Sequence, residues 1–253
     1  MGDPSWKTPM PTPNAYILCT SPRSGSTLLC ALLRDSGVAG HPKSYFHQPD
    51  LAKWRAGLDL ALDTPRPDIF AEAIAQGRGD TDIFGLRLQR HSAPFFFDQV
   101  RDAHQNATTD KAAVEAQFGP TRYIHLHRKD KVAQAVSLVR ASQSGLWHRN
   151  ADGSELERTA PPQTPQYDHT AIAQELETVT NYDTAWEDWF KAQGIAPLRL
   201  DYDTLSADPS GTLEQILKDL NLPQGAPVQP AVSKLSDDIS ADWITRFKSE
   251  TDA

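Results

Sequence analysis

One stretch constrains the fold of this 253-residue chain more than any other. Tyr16-Ile17-Leu18-Cys19-Thr20 is a short apolar run and reads as a buried strand. A tight loop follows, Ser21-Pro22-Arg23-Ser24-Gly25, and a helix opens at Ser26-Thr27-Leu28-Leu29. A strand, tight loop and helix in this order belong to a parallel α/β fold. They aim loop N–H groups and a helix N-terminus at one spot, which suits a phosphate-like anion. Arg23 adds a permanent charge and a planar donor fork. An ordinary strand-to-helix turn with a capping serine is the alternative for these residues alone.

The loop departs from the nucleotide phosphate loop, Gly-x-x-x-x-Gly-Lys-Ser/Thr. Ser26 follows the glycine where a lysine is required, and the cation stands two residues before Gly25. No apolar strand ending in a clear aspartate supplies a magnesium ligand of the kind that nucleoside triphosphate chemistry uses.

The remaining elements alternate. The first helix covers about 26–36, with Leu28, Leu29, Leu32 and Leu33 apolar and Gly37 just beyond. A loop at 38–49 precedes helices within 50–60 and 67–76, then a strand at 83–88. Helices at 92–105 and 110–118 follow, the second with Asp110 as its expected cap. A strand at 121–127 ends in His127-Arg128, before a helix at 129–145. Residues 147–167, with Gly153, Pro161, Pro162 and Pro165, read as a loop. A long helix from 168 to 194, a strand at 197–201, and helices at 209–221 and 240–249 complete the chain. Such alternation implies a central parallel sheet covered on both faces, a three-layer α/β fold of the nucleoside-kinase-like kind. Ligands bind beyond the strands' C-terminal ends in such sheets, where Arg23 and Arg128 both fall. One domain over 15–250 is expected, with 1–14, rich in proline, as an extended or disordered lead.

Three segments acquire meaning together. They are Ser21–Thr27, then Tyr123-Ile124-His125-Leu126-His127-Arg128 with Ser137 in the next helix, and Leu198-Arg199-Leu200-Asp201-Tyr202-Asp203 leading to Asp208-Pro209. With Gly37–Pro42, Phe84–Leu88 and Asp242–Phe247, they resemble the bacterial trehalose 2-sulfotransferase and lipopolysaccharide sulfotransferase-like family. These enzymes use PAPS (3′-phosphoadenosine 5′-phosphosulfate). The likeness runs from about Ala15 to Phe247.

The resemblance implies roles. Ser21, Pro22, Arg23, Ser24, Gly25, Ser26 and Thr27 would hold the 5′-phosphosulfate, with Arg23 on that group and stabilising the leaving oxygen. Arg128 and Ser137 would hold the 3′-phosphate; by residue type alone only Arg128 reads as an anion ligand. No metal is implied. The acceptor would be a hydroxyl of a carbohydrate or glycolipid. The family's trehalose enzyme is thought to use a glutamate in the loop after the first helix as its base. Ser44 stands at that position, and an alcohol cannot serve unaided. His41 and His47 flank it and become candidate bases, since imidazole titrates near working pH. His47 is preferred because Pro49-Asp50 follows, where a carboxylate would orient the ring. A solvated loop histidine is the alternative for each. Lys234 reads as a solvated lysine, although several cytosolic sulfotransferases touch the 3′-phosphate with a basic residue in this region. His125 and His127 share a strand face; a packed strand end is the simpler reading than a metal pair. Two other readings stay open: a nucleotide-dependent kinase using the first loop, and a non-catalytic nucleotide-binding homologue.

The formal net charge is −8, which argues against a nucleic-acid partner and against anionic lipid. An anionic donor must then be caught by local cations. Cys19 and Cys30 make no disulfide framework and suit a cytoplasmic compartment. No apolar run reaches the ~18 residues of a membrane span, and the first residues lack a signal-peptide core. Homo-oligomerisation is left open.

Overall fold

A computed structural model describes residues 12–150, 152–228, 232–233 and 237–251. The proline-rich lead up to residue 11 and Lys234 lie outside the described residues.

The central sheet is parallel, in the order β2 (Phe84–Gln89), β1 (Ala15–Thr20), β3 (Thr121–His127), β6 (Leu198–Asp201). Every residue of β1 is buried, and its side chains divide by parity. Ala15, Ile17 and Cys19 join one apolar cluster while Tyr16 and Leu18 join another. A strand apolar at every position is what a sheet covered on both faces requires.

One face carries α1 (Ser26–Asp35) and α9 (Pro209–Asp219), through Leu29, Leu32, Leu213 and Ile216. The other is packed by α3 (Arg66–Arg78), α4 (Ala93–Ala103), α5 (Asp110–Phe118) and α7 (His169–Ala192). An aromatic core fills it. Phe46 lies against Trp54, Phe70 and Phe96, with ring centroids 4.8, 5.5 and 5.1 Å away. Trp186 of α7 donates from Nε1 to the Thr20 carbonyl at 2.9 Å, tying the longest helix to the end of β1. A smaller cluster joins α6 (Lys131–Ser144) to α10 (Asp238–Thr251) through Val136, Val139, Trp243 and Phe247. The short helices α2 (Leu51–Gly57) and α8 (Tyr202–Ala207) complete the helical set.

Most expected elements fall within a few residues of the observed ones, with three corrections. The cap of α5 is Thr109, whose side chain accepts from Ala112 N; Asp110 is the first helical residue. Residues 202–207 form α8, a helix that the expected strand-to-helix link omitted. The largest difference concerns 147–167. This segment is not a plain loop: β4 (Leu146–Asn150) and β5 (Glu155–Arg158) form an antiparallel hairpin, and β4 also pairs with β7 (Val232–Ser233). Three strands thus make a second small sheet beside the main one.

Candidate active site

The turn from β1 into α1 contains two left-handed residues, Arg23 at φ 63° and Gly25 at φ 88°. A left-handed residue in a turn folds successive N–H groups into a concavity that takes an anion. Gly25 also has no room for a side chain, since a Cβ there would lie 2.6 Å from Tyr202 Cδ2.

Serines on the buried side hold the turn in shape. Ser24 Oγ donates to the Ser21 carbonyl at 2.8 Å, and it lies 2.5 Å from Thr20 Oγ1. Gln134 of α6 donates to Ser21 Oγ at 3.0 Å and to the Pro22 carbonyl at 2.7 Å. Ser21 Oγ donates in turn to Asp183, which also receives Lys131. The side chains of Ser21 and Ser24 are buried and bonded within the turn, so what these two residues can offer an anion is the backbone of the loop they shape. Pro22, Arg23, Gly25, Ser26 and Thr27 line the cleft above.

That cleft has a volume of about 1000 Å³ and lies at the C-terminal ends of β1, β2 and β3. Three arginines meet there, with no carboxylate hydrogen-bonded to them among the described residues. Arg23 donates from Nε to Ser137 Oγ at 3.0 Å and from Nη1 to the Trp147 carbonyl at 2.5 Å. Arg87, near the end of β2, donates from Nε to Ser44 Oγ at 2.7 Å and from Nη1 to Thr27 Oγ1 at 3.0 Å. The Arg128 guanidinium sits over the Tyr202 ring at 4.5 Å, and its buried Nε has no hydrogen-bond partner. Burial, and then the neighbouring Arg128, push the Arg23 guanidinium down to about 10. Two guanidiniums that repel each other, one with an orphaned donor, fit a multiply charged anion.

Arg23, Arg128 and Ser137 are thus brought together, although 105 or more positions separate Arg23 from the other two. The two candidate histidines part: His47 joins them in the cleft and His41 does not. The loop after α1 runs parallel to β2, bridging Lys43 to Leu86. His41 consequently lies near the start of β2, where its N–H bonds the Gly77 carbonyl and its ring packs against Gly79, outside the cleft. His47 reaches the cleft beyond the strand's other end, edge-on to His91 with ring centroids 5.1 Å apart. Burial, then Arg87, hold the His47 pKa below its ordinary value. The carboxylate expected to orient His47 is engaged elsewhere: Asp50 caps α2, accepting from Ala52 N at 2.7 Å. His125 is a buried strand residue with Nδ1 3.0 Å from Glu187 Oε1, and its ring packs against Phe190.

The hairpin adds residues that the sequence reading did not single out. His148 and Glu157 are cross-strand partners and both line the cleft. The Nε2 atom of His148 lies 3.1 Å from Thr27 Oγ1 and 3.5 Å from Glu157 Oε2. Arg87 is missed for a similar reason, since it stands inside a strand and gains its role only through Ser44 and Thr27.

Residues 15–250 match the family described as Stf0 sulphotransferase. The chain belongs to this family and is a sulfotransferase, which sets aside the kinase reading. It is 27% identical to a trehalose 2-sulfotransferase of Mycolicibacterium smegmatis over 259 residues, covering 93% of this chain and 95% of that one. A trehalose 2-sulfotransferase of Mycobacterium tuberculosis is 27% identical over 264 residues, covering 93% and 94%. The sulfotransferase domain of the Synechococcus PCC 7002 olefin synthase aligns with a TM-score of 0.49 at 16% identity, over 96% of this chain and 90% of that domain. Among the described residues no helix is long and apolar enough to cross a membrane.

Proposed function

We propose that the enzyme transfers a sulfuryl group from PAPS to a hydroxyl of a carbohydrate or glycolipid. One observation carries the donor half: Arg23, Arg87 and Arg128 converge on a single cleft, none hydrogen-bonded to a carboxylate among the described residues, in a chain of net charge −8. A negatively charged body supplies no field to attract the donor, so these residues must bind it locally. In this reading the turn and Arg23 hold the phosphosulfate, while Arg128 and Ser137 hold the 3′-phosphate. PAPS supplies the activated sulfuryl group. Transfer then depends on alignment and on neutralising charge at the bridging oxygen, which Arg23 and the turn N–H groups can do. The acceptor half rests on the mycobacterial relatives, whose names specify trehalose; here the proposal extends only to a hydroxyl of a carbohydrate or glycolipid. The two free, buried thiols suit a cytoplasmic setting.

The test is a melting curve. Adenosine 3′,5′-bisphosphate at about 100 times its dissociation constant should stabilise the fold by roughly 2.7 kcal/mol, without added metal. A curve that ignores this nucleotide but responds to ATP with magnesium would overturn the proposal. Donor binding with no transfer to any member of a sugar and glycolipid screen would support a non-catalytic homologue instead.

A further inference from the structure

The hairpin carries an imidazole to the first turn of α1. His148 Nε2 lies 3.1 Å from Thr27 Oγ1, and Arg87 Nη1 donates to that same oxygen at 3.0 Å. A guanidinium only donates, and the Thr27 oxygen has a second lone pair besides its hydrogen, so either ring tautomer fits this contact. With the ring proton on Nδ1, Nε2 accepts the Thr27 hydroxyl through its lone pair. Glu157 Oε2, across the hairpin, lies 3.5 Å from Nε2. In that tautomer the Nε2 lone pair meets a hydroxyl at the rim of the phosphosulfate turn, where an acceptor hydroxyl can take the place of Thr27, with a carboxylate beside it.

Resting on the donor reading above, the geometry points to His148 as the catalytic base. Its Nε2 takes the proton of the acceptor hydroxyl as that oxygen attacks sulfur. The new bond is oxygen to sulfur. The bond that breaks joins sulfur to the bridging phosphate oxygen, whose electron pair departs with adenosine 3′,5′-bisphosphate. The proton ends on Nε2 and passes to water after the products leave. The imidazolium formed in this step faces the Glu157 carboxylate, an attraction absent before proton transfer and so one that favours the transition state. Ser44 cannot compete, because its hydroxyl is bonded to Arg87 Nε at 2.7 Å. His47 packs edge-on to His91, and although Glu157 also acts on it, the ion pair that Glu157 makes is with His148.

The same neighbours make the base depend on the donor. Burial, then Arg23 and Arg87, push His148 down to about 3. The groups around it are Thr27 from α1, Arg23 from the turn, Arg87 from β2 and Glu157 from β5. Without donor the ring is neutral but weakly basic. Donor oxygens that pair with the two arginines cancel their part of the depression, while burial, its larger cause, remains, so the pKa of His148 rises when the nucleotide binds. The base is thus strengthened when the nucleotide fills the cleft.

Two measurements on the full chain test this. Histidine ring nitrogens are followed by NMR against pH, with His148→Gln assigning the signal. Without nucleotide, His148 should stay neutral in the Nδ1–H form down to about pH 5. Saturating adenosine 3′,5′-bisphosphate should raise its midpoint by about one pH unit or more. In parallel, His148→Gln should lower transfer from labelled PAPS to the sugar and glycolipid screen by roughly 10²-fold or more, with nucleotide affinity nearly unchanged. A nucleotide that binds yet leaves the midpoint in place overturns the proposal, as does undiminished transfer in the variant. A nucleotide that fails to bind overturns the donor reading itself, and this proposal with it.

Discussion

The turn after β1 and the β4–β5 hairpin touch each other and line one cleft, but they are built differently. The turn is backed by buried strands, and its serines, Gln134 and Asp183 occupy one another's hydrogen-bonding capacity. Its shape is set before any ligand arrives. The hairpin lies outside the main sheet, and Glu155, Leu156 and Glu157 on β5 are exposed. Rigid scaffold on one side and a surface loop on the other match a division of labour. A donor of constant chemistry needs a fixed cradle, while an acceptor of variable chemistry is read by a segment that tolerates change. Ser44, at the family's glutamate position, belongs to this variable side.

The sharpest way to break this comparison is Arg23→Ala. On the proposed donor reading it removes the charge that neutralises the leaving oxygen, so turnover should fall roughly 10²–10³-fold. Folding should suffer far less, because burial and Arg128 already disfavour the charged form of Arg23. Rates with labelled PAPS, set beside melting temperatures, separate the two effects. A large fall in stability with modest loss of rate would make Arg23 a structural link between α6 and the hairpin.

Arg128→Ala probes the same wall more selectively. Affinity for adenosine 3′,5′-bisphosphate should drop by roughly 1.5–3 kcal/mol, the range for a lost charged contact. Affinity for the analogue lacking the 3′-phosphate should change little. Calorimetry on both nucleotides decides, and equal losses would remove Arg128 from the 3′-phosphate site.

The same contrast governs how much could be read from the sequence. β1 was legible because both of its faces are buried, so the run is apolar throughout. The turn was legible because its residues are contiguous. β5 was not: Glu155-Leu156-Glu157-Arg158 has one apolar residue, which is exposed, and the prolines at 161, 162 and 165 spread a loop signal over the region. Pairing with β4 holds it, and nothing local announces that. His41 and His47 sit three positions either side of Ser44, and sequence distance could not separate them. Extended chain advances about 3.3 Å per residue, so six residues alongside β2 carry one to the start of the strand and the other past its end. Ser137 entered only through family likeness, and its bond to Arg23 supplies a physical reason for its position.

The smallest expected effects come from two glycines, one in the turn after β1 and one in the turn of the hairpin. Gly25 and Gly153 share a left-handed backbone, at φ 88° and 84°. Alanine in either place incurs about 1–2 kcal/mol of backbone strain. Only Gly25 has a neighbour in the way: its new Cβ would lie 2.6 Å from the Tyr202 ring, whereas nothing lies within 4 Å at Gly153. Tyr202 must move in Gly25→Ala, and the Arg128 guanidinium rests on that ring. The turn and Arg128 are therefore coupled through one aromatic side chain. Gly153→Ala should show the strain alone, as a small fall in melting temperature with nucleotide affinity intact. Gly25→Ala should show a similar or larger fall in stability and, in addition, weaker binding of adenosine 3′,5′-bisphosphate. That extra loss should shrink in an Arg128→Ala background, because the contact being disturbed is already absent there. A double-mutant cycle measures it. Fully additive losses would mean that the two parts of the donor wall act independently.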